Sequence, residues 1–465
     1  MAYKEDLSIA PMLAEDYKIE DGGRKYIFNL RKGVLFHNGI EMTSAHVKWS
    51  WDRYLDPETR WLCRSWYDGT TNSSVKITSI ETPSPYKVIF NLEKPSYIFL
   101  HRMAHLQCIT AVIHPSSVDE KGEWIKPVGT GPFELAEWRR GEYIELKKFD
   151  EYSPRKEIRN GLSGKKEVLI NSVRFLIIPD ASIAKAALQA GDIDVAVSLP
   201  ISLYRELKLQ QDLELIAQPT LYWMTLLIQN NQGILNNPLI RQALSHAIDR
   251  ESLANFSTQG MGEMNSSAIP MESPYYDDFH STWYEYDVNK ARKLLKEAGY
   301  NGELLKIQTN RKQLHLYENA IILHAMLRDA GFNIELEVLD WASQLNNFYS
   351  GEFQLSAFDY SARIEPFLNY QLFDRERGTV KKYGWQNPRV REMLNKLDQI
   401  FIPEERAVIF RSLHSEMKND IPLIGLYNLY KMFVVNKTVN GFEGWNLVIP
   451  RFWGVAKRPL KGGEK

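Results

Sequence analysis

Histidine and cysteine gather between residues 101 and 114, where His101, His105, Cys108 and His114 carry side chains able to hold a transition metal. His101 and His105 are four apart and would share one face of a helix, a spacing that suits a metal. No acidic partner lies nearby, and zinc sites need three or four ligands, so the expectation is ordinary polar or core histidines. Phosphate chemistry is equally poorly served. Asn160-Gly-Leu-Ser-Gly-Lys-Lys resembles a phosphate loop but lacks the first glycine, and an incomplete loop cannot cradle phosphate with its N–H groups. Gly129-Thr-Gly-Pro runs into strand-like sequence, whereas a phosphate cradle wants a helix N-terminus, so a rigid turn is expected there. The chain has no Gly-x-Ser-x-Gly elbow, no His-Glu-x-x-His and no Gly-x-Gly-x-x-Gly, the motifs that would place a nucleophile, a zinc or a dinucleotide. The basic run Lys290-Ala-Arg-Lys-Leu-Leu-Lys reads as a solvated helix face.

The elements that would position any site alternate along the chain. Residues 26–31 alternate like a half-buried strand. Thr43 is placed as the N-cap of a helix carrying Val47, Trp51, Tyr54 and Leu55, closed by Asp56-Pro57. Residues 75–94 read as two strands and 97–106 as a helix. Residues 134–149 read as a hairpin about Arg140-Gly141, and 173–178 as a strand. A helix over 181–190 ends at Gly191, and a strand follows from Asp192. Strand 223–229 precedes Asn237-Pro238, an N-cap with proline at the first helical position. Asp249 and Asp287 cap two further helices, ended by Gly260 and Gly299. Residues 305–309, 314–330 and 333–339 then read as strand, helix and strand. This succession is the signature of an α/β fold. The tail 458–465 is polar and expected to fray.

Composition bounds the answer. The 465 residues are 44% apolar and 25% charged, ordinary globular values spanning about three folding units. No run approaches about 18 apolar residues, so no segment is expected to span a bilayer. The 57 basic and 58 acidic residues leave a net charge of −1, with no global footprint for nucleic acid or a membrane surface. Cys63 and Cys108 are the two cysteines, which excludes a disulfide-rich scaffold and leaves one bridge or two buried thiols both open. The N-terminus Met-Ala-Tyr-Lys-Glu-Asp shows no basic stretch leading into an apolar one, so no signal peptide is read there.

Four segments in order carry a resemblance: Arg31-Lys-Gly-Val-Leu-Phe-His-Asn-Gly with Thr43 and its helix; Pro127-Val-Gly-Thr-Gly-Pro-Phe-Glu-Leu with Glu137-Trp; Ala187-Leu-Gln-Ala-Gly-Asp-Ile-Asp; and Pro238-Leu-Ile-Arg-Gln-Ala-Leu-Ser-His-Ala-Ile-Asp-Arg-Glu. Together they resemble the family 5 extracellular solute-binding proteins of bacterial ABC importers, over nearly the whole chain. The resemblance implies an α/β, two-lobed periplasmic-binding-protein clamp of type II, with an extra subdomain in lobe I. Lobe I would be 1–230, lobe II 231–424, and 425–465 would return to lobe I, with crossover strands near 225–232 and 421–428. Ligand would sit between lobes that close by a hinge. The implied partners are a peptide or small-molecule ligand and the permease's transmembrane subunits. The chain would act as a monomer without catalysis, cofactor, metal or nucleic acid, in the periplasm or tethered to the cell surface. Relatives of this kind carry a signal peptide and several tens of residues before the equivalent of Ala10-Pro-Met-Leu-Ala-Glu, so those parts are expected to be absent from this chain.

The same resemblance bears on specificity. Peptide binders of the family carry an aspartate just before an acidic-Pro pair, where it grips the peptide's ammonium. Counting back from Glu365-Pro366 puts Ala362 at that position. Tyr360-Ser-Ala-Arg-Ile-Glu-Pro is instead similar to the Trp-Ser-Gly-Arg-x-Asp-Pro variant of a glutathione-binder-like subgroup. Arg363 would then anchor the ligand, since a guanidinium in a closed cleft wants a carboxylate or phosphate; the alternative is that it pairs with Glu365 and braces the loop. Ser361 belongs to the same segment. Tyr360, Trp385, Tyr222 and Trp223 are candidate aromatic walls, and Glu365-Pro366 should start a helix. The expected ligand is a small anionic peptide or peptide-like solute. A sugar or opine binder and, from other classes, an enzyme or a regulator's sensing domain are the rivals.

Overall fold

The structure, a computed structural model, describes residues 1–71, 75–361, 363–374, 384–447 and 449–458. The chain divides into two units, Met1–Gln218 with Lys431–Lys465, and Pro219–Tyr430.

In the first unit, strands β1 (Ala14–Glu20), β2 (Lys25–Leu30), β3 (Ile77–Ser84) and β4 (Lys87–Leu92) form an antiparallel sheet in the order β1, β2, β4, β3. Val88, Phe90 and Leu92 of β4 are buried while their neighbours are less so, the period of two that a half-buried strand requires. Helix α1 (Ser44–Leu55) buries Val47 and Trp51, which are four apart and therefore on one face. Its N-terminus is closed by Thr43, whose backbone N–H donates to Nδ1 of His46 at 3.1 Å. A histidine thus fills the place that glutamate usually takes in a capping box. Trp51 meets Tyr67 and Phe90 edge-on, with ring centroids 5.0 and 5.2 Å apart, a geometry that aligns ring edges with π faces. Cys63 and Cys108 are joined as a disulfide, Cα atoms 6.0 Å apart, and both are buried.

The side chains weighed as metal ligands have other contacts. Nδ1 of His101 lies 3.2 Å from the Tyr3 hydroxyl, and Nδ1 of His105 accepts the Gln107 N–H at 3.2 Å. Nδ1 of His114 accepts the Ser116 N–H at 3.1 Å, and Cys108 is committed to the disulfide.

Strands β5 (Phe133–Arg139), β6 (Tyr143–Lys148) and β7 (Ser172–Leu176) make a second antiparallel sheet. Helix α2 (Ala181–Ala190) starts at Asp180, whose carboxylate accepts the N–H groups of Ser182 and Ile183, and stops at Gly191 with φ +81°. A left-handed residue is needed there to turn the chain out of the helix, and glycine adopts it without steric cost. Strand β8 (Val195–Leu199) follows. A cavity of about 730 Å³ is lined by β7, β8, Ala181, Ala184, Phe452 and Val455, all in this unit; none of the expected ligand-binding residues lines it.

Strand β9 (Leu213–Ile228) carries the chain into the second unit. There α3 (Pro238–Ala247), α4 (Arg250–Ser257) and α5 (Val288–Glu297) precede β10 (Leu305–Asn310), α6 (Leu314–Asp329), β11 (Ile334–Leu339), α7 (Trp341–Ser350) and β12 (Leu355–Tyr360). Helices α8 (Pro366–Phe373), α9 (Pro388–Leu397) and α10 (Pro403–Asp420) follow, and β13 (Leu423–Asn436) returns the chain to the first unit. Within the second unit the strand order is β13, β9, β12, β10, β11. Strands β10, β11 and β12 are parallel, and β12 is antiparallel to β9. In the first unit, β8 pairs antiparallel with residues 432–435 of β13. There Met432 and Val434 pack with Leu188, Ala196 and Leu199, while Phe433 and Val435 pack with Val439, Phe442 and Val455.

The chain changes unit at Gln218/Pro219 and Tyr430/Lys431, whereas the sequence had suggested 230/231 and 424/425. Both changes fall inside long strands, where no loop marks them. Among the described residues, no helix is long and apolar enough to cross a membrane.

Candidate functional site

Parallel strands separated by helices present their carboxyl ends together, and open α/β sheets bind ligands at that edge. In the second unit this edge is formed by Thr309-Asn310, Val338-Leu339 and Asp359-Tyr360, followed by the segment that holds Ser361 and Arg363.

Register fixes which way the side chains of β12 and β9 face. Trp223 pairs with Tyr360 and Met224 with Asp359. Trp223, Phe358 and Tyr360 therefore lie on one face of the sheet, and Tyr222, Met224 and Asp359 on the other. On the first face the packing is aromatic. Phe348 of α7 stacks on Phe358 at 4.5 Å, and Tyr360 stands edge-on to Phe373 of α8 at 5.0 Å. Trp223 is 5% exposed, and its indole N–H donates to the backbone oxygen of Asn265 at 2.9 Å. Its ring lies so close to Gly425 that a Cβ there would run into Cζ2 and into the Asn265 carbonyl. The glycine is what lets Trp223 lie flat against β13.

Trp385 is 2% exposed. Its N–H donates to the Phe373 carbonyl and its indole N–H to Oδ2 of Asp420, both at 2.6 Å. Asn387 donates to the same Asp420 oxygen at 2.8 Å. Trp385 thus ties α8 to α10, and Asn387, the N-cap of α9, joins them at the same oxygen. Tyr360, also buried, forms part of the aromatic layer beneath the edge.

Arg363 reaches the edge itself. Its Nη1 donates to the Ser361 hydroxyl at 3.0 Å, and its carbonyl accepts from Asn369 Nδ2 at 3.4 Å. Burial pulls the guanidinium pKa below its ordinary value, while Tyr222, Tyr349 and Tyr360 push it back up. An arginine remains charged under such shifts. The Tyr222 hydroxyl is raised by burial first, then by Asp359, and is lowered by Arg363. One phenol therefore feels both charges. Ala362 and residues 375–383, Tyr383 among them, lie outside the described residues.

The carboxylate offered by sequence as a brace for Arg363 is engaged with another arginine. Glu365 forms an ion pair with Arg406 of α10, at 2.5 Å. It also caps α8, with its side chain accepting the Phe367 N–H and Pro366 at the first helical position. The Glu365-Pro366 start expected from sequence is therefore where α8 begins.

Two residues of the edge were not among the sequence candidates. Asp359 has an 11% exposed side chain, and Nε2 of His315, in the first turn of α6, lies 3.7 Å from its Oδ2. An acid inside the strand-like run Leu-Ser-Ala-Phe-Asp-Tyr was the available signal.

Residues 8–376 match the family described as bacterial extracellular solute-binding proteins, family 5 Middle. The chain is 30% identical over 298 residues to the glutathione-binding protein GsiB of Salmonella paratyphi A, covering 64% of this chain and 54% of that protein. The match thus spans about half of that relative's length. It is 25% identical over 468 residues to the oligopeptide-binding protein AppA of Bacillus subtilis, covering 94% of this chain and 82% of AppA. Among solved structures, NikA from Brucella suis in complex with Fe(III)-EDTA superposes with a TM-score of 0.85 at 20% identity, covering 98% of this chain and 93% of that one. With the family match spanning most of its length and the fold shared with NikA, this chain belongs to the bacterial extracellular solute-binding proteins, family 5.

Proposed function

We propose that the chain is the solute-capturing subunit of a peptide-type ABC importer. It would bind a small anionic peptide or peptide-like solute outside the cytoplasm and hand it to the permease's transmembrane subunits. Binding, not turnover, is its task in this reading. The observation that carries the ligand class is Arg363. It is a partly buried guanidinium beside the Ser361 hydroxyl at the carboxyl edge of a parallel sheet, and its planar fork matches a carboxylate. Family membership supports the transport role, and the names of the glutathione- and oligopeptide-binding relatives support a peptide-like ligand.

The sugar alternative draws less support. Sugars stack on open aromatic faces, yet Trp223, Tyr360 and Trp385 are 5, 7 and 2% exposed. Tyr222 is the half-buried aromatic of the set and is proposed to flank the ligand; the three buried rings would shape the layer beneath it.

The test is a thermal-shift screen with acidic di- and tripeptides, glutathione, opines and oligosaccharides, repeated on Arg363→Ala. A ligand at a hundredfold excess over its Kd adds about 2.7 kcal/mol of stability. Anionic peptides should raise the midpoint of the wild-type chain, and the variant should lose that response. Binding should also weaken with salt. A response to sugars alone, or an equal response of Arg363→Ala, overturns the reading.

A further inference from the structure

Strands β7 and β8 are each the outermost strand of a sheet. On one side β7 pairs with β6 and β8 with β13, and among the described residues neither has a strand on its other side. Each therefore carries a row of backbone N–H and C=O groups without a ladder partner, a demand that buried backbone normally meets. Both strands line the same cavity. The succession β7, α2, β8 normally lays two strands in one sheet across a crossover helix, yet here they stand in different sheets.

Size and lining fit one strand. Five extended residues span about 17 Å, and a strand takes about 4.8 Å across the sheet and about 10 Å between layers, or about 800 Å³; the cavity holds about 730 Å³. Both faces of that slot are covered. Ala196 packs with Met432, Val434, Ala181 and Ala184 on one face, and Val195 and Val197 pack with Phe433, Val439 and Val455 on the other. A strand covered on both faces reads as a near-continuous apolar run. Among the charged lining groups Arg174 pairs with Glu145 and Lys457 with Asp194, and Asp192 is exposed, so the slot asks for no charge. A bulge at Ser198, φ +104°, interrupts β8 but leaves Val195, Ala196 and Val197 in regular register; bulges blunt an edge against chance pairing.

The amino end lies in the same unit and is itself buried. Tyr3 is buried, and its carbonyl accepts the Leu162 N–H at 2.8 Å. Burial first, then Lys166 and Arg155, pull the Met1 ammonium down to about 6, and Lys166 stands six residues ahead of β7. A charge desolvated beside two cations is costly, and an amide in its place carries none. AppA has residues beyond the part that this chain matches, so a longer chain is compatible with the fold. We propose that the cavity seats one further β-strand, an extended, uncharged and largely apolar run of about five residues that precedes Met1 and pairs with β7 on one side and β8 on the other. Seated there, it would join the two sheets into one. The inference is independent of the ligand reading given above.

The experiment joins Val-Ile-Val-Ala-Val ahead of Met1 through Gly-Ser linkers of graded length, beside a control with Val-Pro-Val-Pro-Val, whose prolines lack the N–H donors of a ladder. Hydrogen exchange of residues 172–176 and 195–199 is read by mass spectrometry. Without an extension about half of these amides, the ones turned away from β6 and β13, should exchange freely. With the apolar extension on a linker that reaches, they should slow about a hundredfold, the gain of a few buried hydrogen bonds, and the thermal midpoint should rise. The proline control should do neither. Full protection of both strands in the unextended chain overturns the proposal, as does equal behaviour of the two extensions at every linker length. Equal protection by the same pentapeptide added free, at the concentration of the protein, assigns the slot to a separate polypeptide and overturns the amino-end source.

Discussion

Glu365 and Arg406 form an ion pair whose side chains are 2 and 0% exposed. The arginine also donates to the carbonyls of Leu397 and Ile400. Both charges are therefore sealed in the interior, facing each other and, for the arginine, two backbone carbonyls. Such a pair is costly to bury and more costly to break, because the survivor is left without a counter-charge. Glu365→Ala should destabilise the chain by about 3–5 kcal/mol. It should do so without Arg363 being touched directly, yet slacken the segment that carries it. Urea unfolding reads the first effect. The double variant Glu365→Leu/Arg406→Met should recover most of the loss. If the single variant is as stable as the wild type, the pair is not buried as described.

Cys63 and Cys108 lie 45 residues apart and are bridged. A loop of that length restricts the unfolded chain enough to contribute about 4 kcal/mol. Dithiothreitol should lower the thermal midpoint, and Cys63→Ser/Cys108→Ser should lower it equally and no longer respond to the reductant. Non-reducing peptide mapping should recover one linked pair. Two alkylatable thiols in native, oxidised protein defeat the prediction.

His414 carries a pH dependence. Burial pulls its pKa from 6.5 to about 4. Its Nε2 contacts the Thr282 carbonyl at 3.0 Å, while Nδ1 is buried without a partner. His280, also lowered by burial, sits 5.4 Å away ring to ring, with Asp277 and Arg411 next to it. A folded pKa below the unfolded value means that the native state binds fewer protons. The stability from neutral His414 is therefore fully present above about pH 6.5 and is lost as pH falls towards 4, amounting to about 3 kcal/mol. Urea midpoints measured between pH 7.5 and 4.5 should fall on acidification, and His414→Leu should flatten the curve. An unchanged slope in the variant counts against the assignment.

Local signals were the legible ones. Gly191 ends α2, and Asn237-Pro238 opens α3, as read from sequence, because capping is decided by neighbours a few residues away. Strand β9 is longer than the 223–229 expected, since Pro219 reads as a breaker although it sits within the strand where the chain changes unit. Helix 97–106 shortens to Phe99–Met103. The candidate walls show the other limit. Tyr222 and Trp223 look like a pair in sequence, but consecutive strand residues face opposite ways. What Trp385 would bond to was not readable, because Asp420 is remote along the chain. The partner of Glu365 was hidden for the same reason, with Arg406 on α10.

The pairing of β8 with β13 has a consequence in time. Residues 195–199 are complete long before Met432–Val435, the strand they pair with, exist. The second unit, continuous from Pro219 to Tyr430, is made in between. At about 5–20 residues per second, the first unit waits tens of seconds for its closing strand, with Ala196 and Leu199 exposed. The second unit holds all of its own strands by then. An emerging chain should therefore acquire protease resistance in the inserted unit first, and the unit that begins the sequence should be the last to finish.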